Sequence, residues 1–193
     1  MPSSRSRVRP APAGPGQGPV GGFTLVELLI TIAVLAVVLA IAVPSFRSVI
    51  NRNRLVSASN EVVGALQLAR MEAIRRNSRV EICPSTDGAT CSGSSWTRMI
   101  VRVASDGEVV RDISVTGRGI VLKGSSNTAS NNRIAFVSSG FARVGSGTAT
   151  TGAISVCSEY VPVTENTMDV GIVASRVAVT PRNGTAACTA RTD

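Results

Sequence analysis

The sequence predicts an α+β protein, one long helix packed against antiparallel sheet, and three observations carry that reading. An uncharged run of 19 residues, Leu28 to Phe46, is continued by apolar residues at three- and four-residue spacing as far as residue 77. After Asn77 the apolar period becomes two, and stretches rich in Gly, Ser and Asn separate short alternating segments. About 115 residues follow the helix, enough for a single core and too few for a second domain.

Residues 1–22 are rich in Pro, Gly and Ser, carry Arg5, Arg7 and Arg9 without an acid, and read as a disordered cytoplasmic leader outside the fold. Leu28–Phe46 is long enough to cross the ~30 Å hydrocarbon layer as a helix, so 23–46 is read as a transmembrane segment. Glu27 falls inside that segment, where an acidic group costs about 2.5–3.5 kcal/mol even on the milder insertion scales and calls for a partner or a purpose. Pro44 lacks an N–H and its ring clashes with the preceding turn, which predicts a kink or local melting. Arginine counts do not set the orientation, because Arg47, Arg52 and Arg54 balance the three leader arginines. An ordinary secretory peptide cut after Ala40-Ile41-Ala42 is the competing reading. The charge at the start of the apolar run and the long approach to it argue against that.

Residues 47–77 continue as an amphipathic helix. Leu55, Val62, Leu66, Ala69 and Ala73 form one stripe with Val63 and Ile74 beside it, and Glu61, Gln67, Arg70, Glu72 and Arg75 fall largely elsewhere. One helix over 24–77 is about 80 Å long at 1.5 Å per residue. In the head, 78–193, the strand candidates are Val80–Cys83, Trp96–Val103, Val109–Val115, Gly119–Leu122, Arg133–Val137, Phe141–Val144, Ala153–Cys157 and Gly171–Val179. Ser105-Asp106-Gly107-Glu108 supplies an Asp-Gly hairpin turn. Lys123–Asn132 and Val144–Gly152 read as loops without core-forming residues, and the strands as one sheet or two small ones.

Gly22-Phe23-Thr24-Leu25-Val26-Glu27-Leu28 resembles the class III signal of type IV pilins and pseudopilins. That resemblance implies cleavage by a prepilin peptidase after Gly22, methylation of the new N-terminal Phe23, and pairing of Glu27 with the N-terminal amine of a neighbouring subunit. Pro44 fits the proline that many pilins carry at this depth. Asn53-Arg54-Leu55, the run Asn60 to Arg76, and Val80-Glu81-Ile82-Cys83-Pro84 with Cys91 and Trp96 behind it are similar to the GspH/FimT family of minor pilins and pseudopilins. The likeness is good over 22 to about 104; Arg133-Ile134-Ala135-Phe136 and Ile154-Ser155-Val156-Cys157 resemble the family's later strands. It implies a type IV pilin-like fold, a single-pass protein of the bacterial inner membrane with its head in the periplasm, and other pilin or pseudopilin subunits as partners.

Cys83, Cys91, Cys157 and Cys188 all lie beyond the apolar run, and an even number in a polar setting fits two disulfides in an oxidising compartment. Zinc is the alternative, but the chain has no histidine and no Cys-x-x-Cys knuckle. Of three connectivities, Cys83 with Cys91 and Cys157 with Cys188 is preferred, each bridge stabilising by about 2–4 kcal/mol.

Without histidine there is no Ser-His-Asp or Cys-His machinery. No glycine pattern builds a phosphate loop and no paired carboxylates offer acid–base chemistry, so the chain reads as a structural or binding subunit without cofactor or metal. The net charge is +8, of which the leader holds three, leaving +5. Between Ile113 and Ser158 stand Arg118, Lys123, Arg133 and Arg143 with no acid, and between Val170 and Thr192 stand Arg176, Arg182 and Arg191, again with none. Such faces attract phosphate backbones. One lysine against 19 arginines equally fits ordinary solvated charge in an arginine-biased proteome.

FimT-like members of the family include DNA binders with a C-terminal Gly-Arg-x-Arg motif. The corresponding place here is Ser175-Arg176-Val177-Ala178, with only the first arginine, and Arg182 is positioned to supply a replacement charge. Arg143, Arg176, Arg182 and Arg191 are therefore the candidate DNA-binding residues, phosphate-led because aromatics make up only 3% of the chain. Two functions are expected from the resemblance. One is a minor pseudopilin of type II secretion, contacting other subunits or secreted cargo; the alternative is a type IV minor pilin that primes assembly and binds DNA for uptake in natural transformation.

Overall fold

Helix α1 runs Leu25–Arg75 in the computed structural model, which describes residues 22–193. All but Gly22 of the predicted leader lies outside the described residues. Thr24 starts the helix, its Oγ1 accepting the Glu27 N–H at 3.2 Å as an N-cap. At the other end Asn77 takes a positive φ of 49°, and the Ser78 N–H reaches the Ala73 carbonyl while the Asn77 N–H reaches that of Ile74. This is the Schellman arrangement, which satisfies carbonyls the helix leaves over. Helical structure continues through Pro44, so of the kink or local melting expected there the melting is absent; one absent N–H removes a single bond from a 51-residue ladder.

The chain divides into two units, Met1–Ala42 and Val43–Asp193. In the first, the helix leaves Leu28, Leu29, Ile32 and Leu35 uncovered, within a segment whose mean hydropathy reaches 2.9. A stretch so apolar suits lipid or the apolar helices of other subunits.

In the second unit the remainder of α1 buries Leu55, Val62, Leu66, Ala69 and Ala73, the stripe read from the sequence; Val63 is half-buried and Ile74 is exposed. Two antiparallel sheets complete the core. The first has the order β3-β2-β1-β5-β6, from β1 (Val80–Pro84), β2 (Arg98–Val103), β3 (Val109–Ser114), β5 (Ile134–Phe136) and β6 (Ala142–Val144). The second has the order β4-β7-β8-β9, from β4 (Ile120–Gly124), β7 (Thr151–Ser158), β8 (Thr167–Val173) and β9 (Arg176–Arg182). Alternation selects the inward side chains: Val80 and Ile82, Met99, Val101 and Val103, Ile134 and Phe136, Ile154 and Val156, and Val170 and Ile172 are all buried.

The last expected strand, Gly171–Val179, is in fact a hairpin. β8 begins earlier, at Thr167, and turns through Ala174-Ser175 into β9, with Val173 opposite Arg176. Ala174 sits at φ 56°, a conformation usually given to glycine. The turn is held regardless, because the Ala174 N–H donates to the Thr150 carbonyl and the Ala174 carbonyl accepts from Ala142 of β6. The segment Lys123–Asn132 is likewise not a bare loop. It ends β4 and forms a short helix α2, Ser126–Ala129, beside which Ser125 and Thr128 are fully buried. The Ser125 and Thr128 hydroxyls bond each other at 3.2 Å, and Ser125 also accepts the Ala153 N–H, so these small polar groups are satisfied inside the core.

The C-terminal end of α1 is tied to the β2–β3 hairpin. Arg76 bridges Glu72 on its own helix and Glu108 in the hairpin, and Arg75 also meets Glu72. The Arg75 and Arg76 guanidinium groups hold the Glu72 carboxyl down at about 2.

Candidate functional site

Phe23 precedes the first helical residue and Glu27 lies in the first turn, where an acid complements the helix dipole. Among the described residues no side chain pairs with the Glu27 carboxylate; only its backbone N–H is engaged, by Thr24. Everything beyond Glu27 as far as Phe46 is uncharged. An unmet carboxylate at the edge of an apolar helix is suited to a cationic group from outside the chain.

The four cysteines form the preferred bridges, Cys83–Cys91 and Cys157–Cys188, with Cα separations of 5.5 and 5.7 Å. No cysteine is left to ligate zinc. Inside the first loop Asp87 accepts from the backbone of Thr90 and Ala89 and from the Thr90 and Ser85 hydroxyls. Those donors, Thr90 first, hold its carboxyl well below the usual carboxylate range.

The second bridge draws the C-terminal tail across the outer face of the β4-β7-β8-β9 sheet. The Arg191 N–H donates to Ser155 Oγ on β7, and Asp193 accepts from Ser126 Oγ and the Asn127 N–H of α2. Pairing places Lys123, Ser155, Asp169 and Thr180 in one row across this face, with Arg176 and Arg182 at the two ends of β9. Arg176, Arg182, Arg191 and Lys123 therefore share one face. Arg143 does not join them, since it lies on β6 of the other sheet, opposite Ala135.

The four candidate arginines are also unequal in chemistry. Arg182 Nε lies 2.7 Å from Asp169 Oδ2, and Asp169, only 3% exposed, accepts a further bond from Ser155 Oγ at 2.6 Å. Arg182 also donates to the Thr189 carbonyl in the tail. It is a structural tie between β8, β9 and the tail, not the free replacement charge expected from the sequence. Arg176 is exposed and has no ion-pair partner among the described residues.

A second buried pair escaped the sequence reading. Glu81 on β1, 2% exposed, lies opposite Arg102 of β2, with 2.7 Å between Oε1 and Arg102 Nη2 and 3.2 Å between Oε2 and Arg133 Nη1. The visible signal is a charge inside the strand Val80-Glu81-Ile82-Cys83, but at period two that position reads as facing water.

Among the described residues, then, the arrangement offers an uncovered apolar helix with one unmet acid, a disulfide-stapled β-rich head and a basic sheet face. The model of the family described as type II transport protein GspH matches residues 58–180, from within the core-facing half of α1 into β9. The chain belongs to the GspH family. A prokaryotic N-terminal methylation motif matches residues 19–43, spanning Gly22, Phe23 and Glu27. A crystal structure of the type IV minor pilin FimU of Pseudomonas aeruginosa strain PAO1 shares the fold, with a TM-score of 0.53 at 21% identity over 67% of this chain and 90% of that one. A second crystal form of FimU gives 0.49 at 20% identity, over 65% and 91%. No curated protein matches the chain.

As a GspH-family member the chain is a minor pilin or pseudopilin with a type IV pilin fold. Membership implies processing by prepilin peptidase and interaction with other pilin subunits, and proteins of this kind are generally structural rather than enzymatic. The methylation motif and the apolar N-terminal helix fit a membrane-anchored pilin.

Proposed function

We propose that the chain is a minor pseudopilin of the type II secretion pseudopilus, cut after Gly22, N-methylated at Phe23, and held in the inner membrane with its head in the periplasm. The observation that carries this reading is the Glu27 carboxylate, unmet within the described residues and set in the first turn of an uncovered apolar helix. A new amine at Phe23 of a neighbouring copy or subunit meets the chemistry Glu27 requires, and the pairing sets axial register in a fibre. The GspH match over 58–180 supports the secretion assignment. Two disulfides support an oxidising compartment for the head. Intact mass of the protein extracted from its native membrane tests the processing: loss of residues 1–22 with gain of one methyl group is expected, and an N-terminus at Val43 would overturn it.

One observation favours a second reading, a type IV minor pilin that captures DNA: Lys123, Arg176 and Arg191 share one sheet face, on which the buried Asp169 is paired with Arg182. Three phosphate contacts give a log–log salt slope of about −3 for duplex binding without sequence preference. Arg176→Ala is expected to lower that slope by about one unit. Arg182→Ala acts differently, since it strands the buried Asp169 and shows first as lost thermal stability. Gel-shift titrations of the full-length protein in neutral detergent at two salt concentrations check both; no retardation at high micromolar protein in low salt removes this reading.

A further inference from the structure

Immediately after the apolar run, an open cleft of about 440 Å³ is lined by Arg47, Ile50, Asn51, Arg54, Arg118 and Tyr160. Positions 47, 50, 51 and 54 are spaced i, i+3, i+4, i+7, so one stripe of α1 forms a wall. Arg118 from the β3–β4 connection and Tyr160 from the β7–β8 connection form the other, with the guanidinium carbon 5.4 Å from the ring centroid. The wall is fastened in place: Asn51 Nδ2 donates to the Tyr160 carbonyl, and Arg52 pairs with Glu165 just beyond the cleft. Gly119, at φ 70°, leaves room for the Tyr160 ring where any Cβ would collide with it.

Three arginines thus surround one cleft with no carboxylate in its lining, and none of the three has an ion-pair partner among the described residues. Gathered like charges repel, and a shared anion relieves the repulsion. The position along the chain says which anion. Leu28–Phe46 spans about 28 Å as a helix, close to the hydrocarbon thickness, so Arg47 begins the headgroup layer. Arg54 lies about 10 Å further along the axis, just past a layer about 5–8 Å deep on each side, a gap that so long a side chain spans. An aromatic ring beside an aliphatic side chain also suits the membrane–water interface.

We propose that this cleft binds the phosphate of an anionic phospholipid headgroup on the head side of the membrane, holding the subunit at a fixed depth before it is drawn into a fibre. The proposal rests on the membrane-anchored reading of the N-terminal helix. Each arginine near an anionic surface contributes about a five-fold gain in binding.

The test uses the full-length protein in neutral detergent, titrated with phosphatidylglycerol or phosphatidylcholine and followed by native mass spectrometry. Phosphatidylglycerol should be retained at least ten-fold better. Arg47→Gln, Arg54→Gln and Arg118→Gln should each lose about five-fold, the triple variant should show no preference, and Arg79→Gln, outside the cleft, should match wild type. Equal retention of the two lipids, or a preference surviving in the triple variant, would overturn the proposal. Displacement by inorganic phosphate at equal concentration would overturn the lipid assignment in favour of free phosphate. Flotation with phosphatidylcholine vesicles reads anchoring separately: wild type that fails to float overturns the anchoring itself, whereas protein that floats but shows no lipid preference overturns only the cleft.

Discussion

Glu81→Ala is expected to lower the stability of the protein by about 3–5 kcal/mol, the cost of breaking a buried ion pair from one side. The carboxylate is almost completely removed from water and is shared by Arg102 and Arg133. Without it, two guanidinium groups with side chains 21% and 30% exposed face each other, and Arg133 Nε is already buried without a partner. β1 is the middle strand of its sheet, paired to β2 on one side and β5 on the other, so the loss falls on the sheet's central pairing. The melting temperature should drop by on the order of 10–15 °C for a domain of this size. Asp112→Ala provides the contrast. It removes a carboxylate from an exposed pair with Arg98, and such pairs contribute about 0–1 kcal/mol. Thermal unfolding of both variants, followed by the sheet signal in circular dichroism, checks the prediction; Glu81→Ala melting within 3 °C of wild type, or no worse than Asp112→Ala, would contradict it, as on the order of 1 kcal/mol is too little for a buried charge.

The contrast between these two acids also marks what could be read from the chain. Helix α1 was legible because its signals are local: the apolar run, the stripe from Leu55 to Ala73 and the Asn77 stop stand within a few residues of what they control. Six of the eight predicted strands reappear as β1, β3, β4, β5, β6 and β7 with small shifts at their ends, and Trp96–Val103 contains β2. The eighth hid a hairpin because its turn, Ala174-Ser175, has none of the Gly, Asn or Pro that mark turns; hydrogen bonds from the Ala174 N–H to Thr150 and from Ala142 to the Ala174 carbonyl hold the positive φ instead. α2 was missed for a related reason. Its buried side chain, Thr128, and that of Ser125 just before it are polar and enter the core only because they bond each other and the neighbouring strand.

Among the site residues, the disulfide pairs and Glu27 could be singled out because cysteines and an acid beside an apolar run have few uses. The arginines were harder. Arg176 and Arg182 look alike in sequence, yet the β8–β9 register brings Asp169 within reach of Arg182 and leaves Arg176 at the far end of the strand. Partners 13 residues apart across a hairpin that was not anticipated could not be paired in advance. Glu81 and Arg133 are further apart still, joined only once β5 lies beside β1.

Fibre assembly rests on Glu27, and Glu27→Val is the substitution expected to disturb function most. The substitution removes an acid that costs about 2.5–3.5 kcal/mol within a membrane helix, so insertion should be at least as efficient as in wild type. The head should be untouched, because no described side chain depends on the Glu27 carboxylate. What disappears is the partner for a neighbour's N-terminal amine. The most direct measurement is therefore the amount of the chain in whole membranes and in assemblies crosslinked to other pilin subunits in intact cells, compared by immunoblot for wild type and Glu27→Val. Equal membrane levels are expected, with wild type present in the crosslinked assemblies and Glu27→Val reduced there by at least ten-fold. Glu27→Val in those assemblies at the wild-type level would overturn the role of the carboxylate.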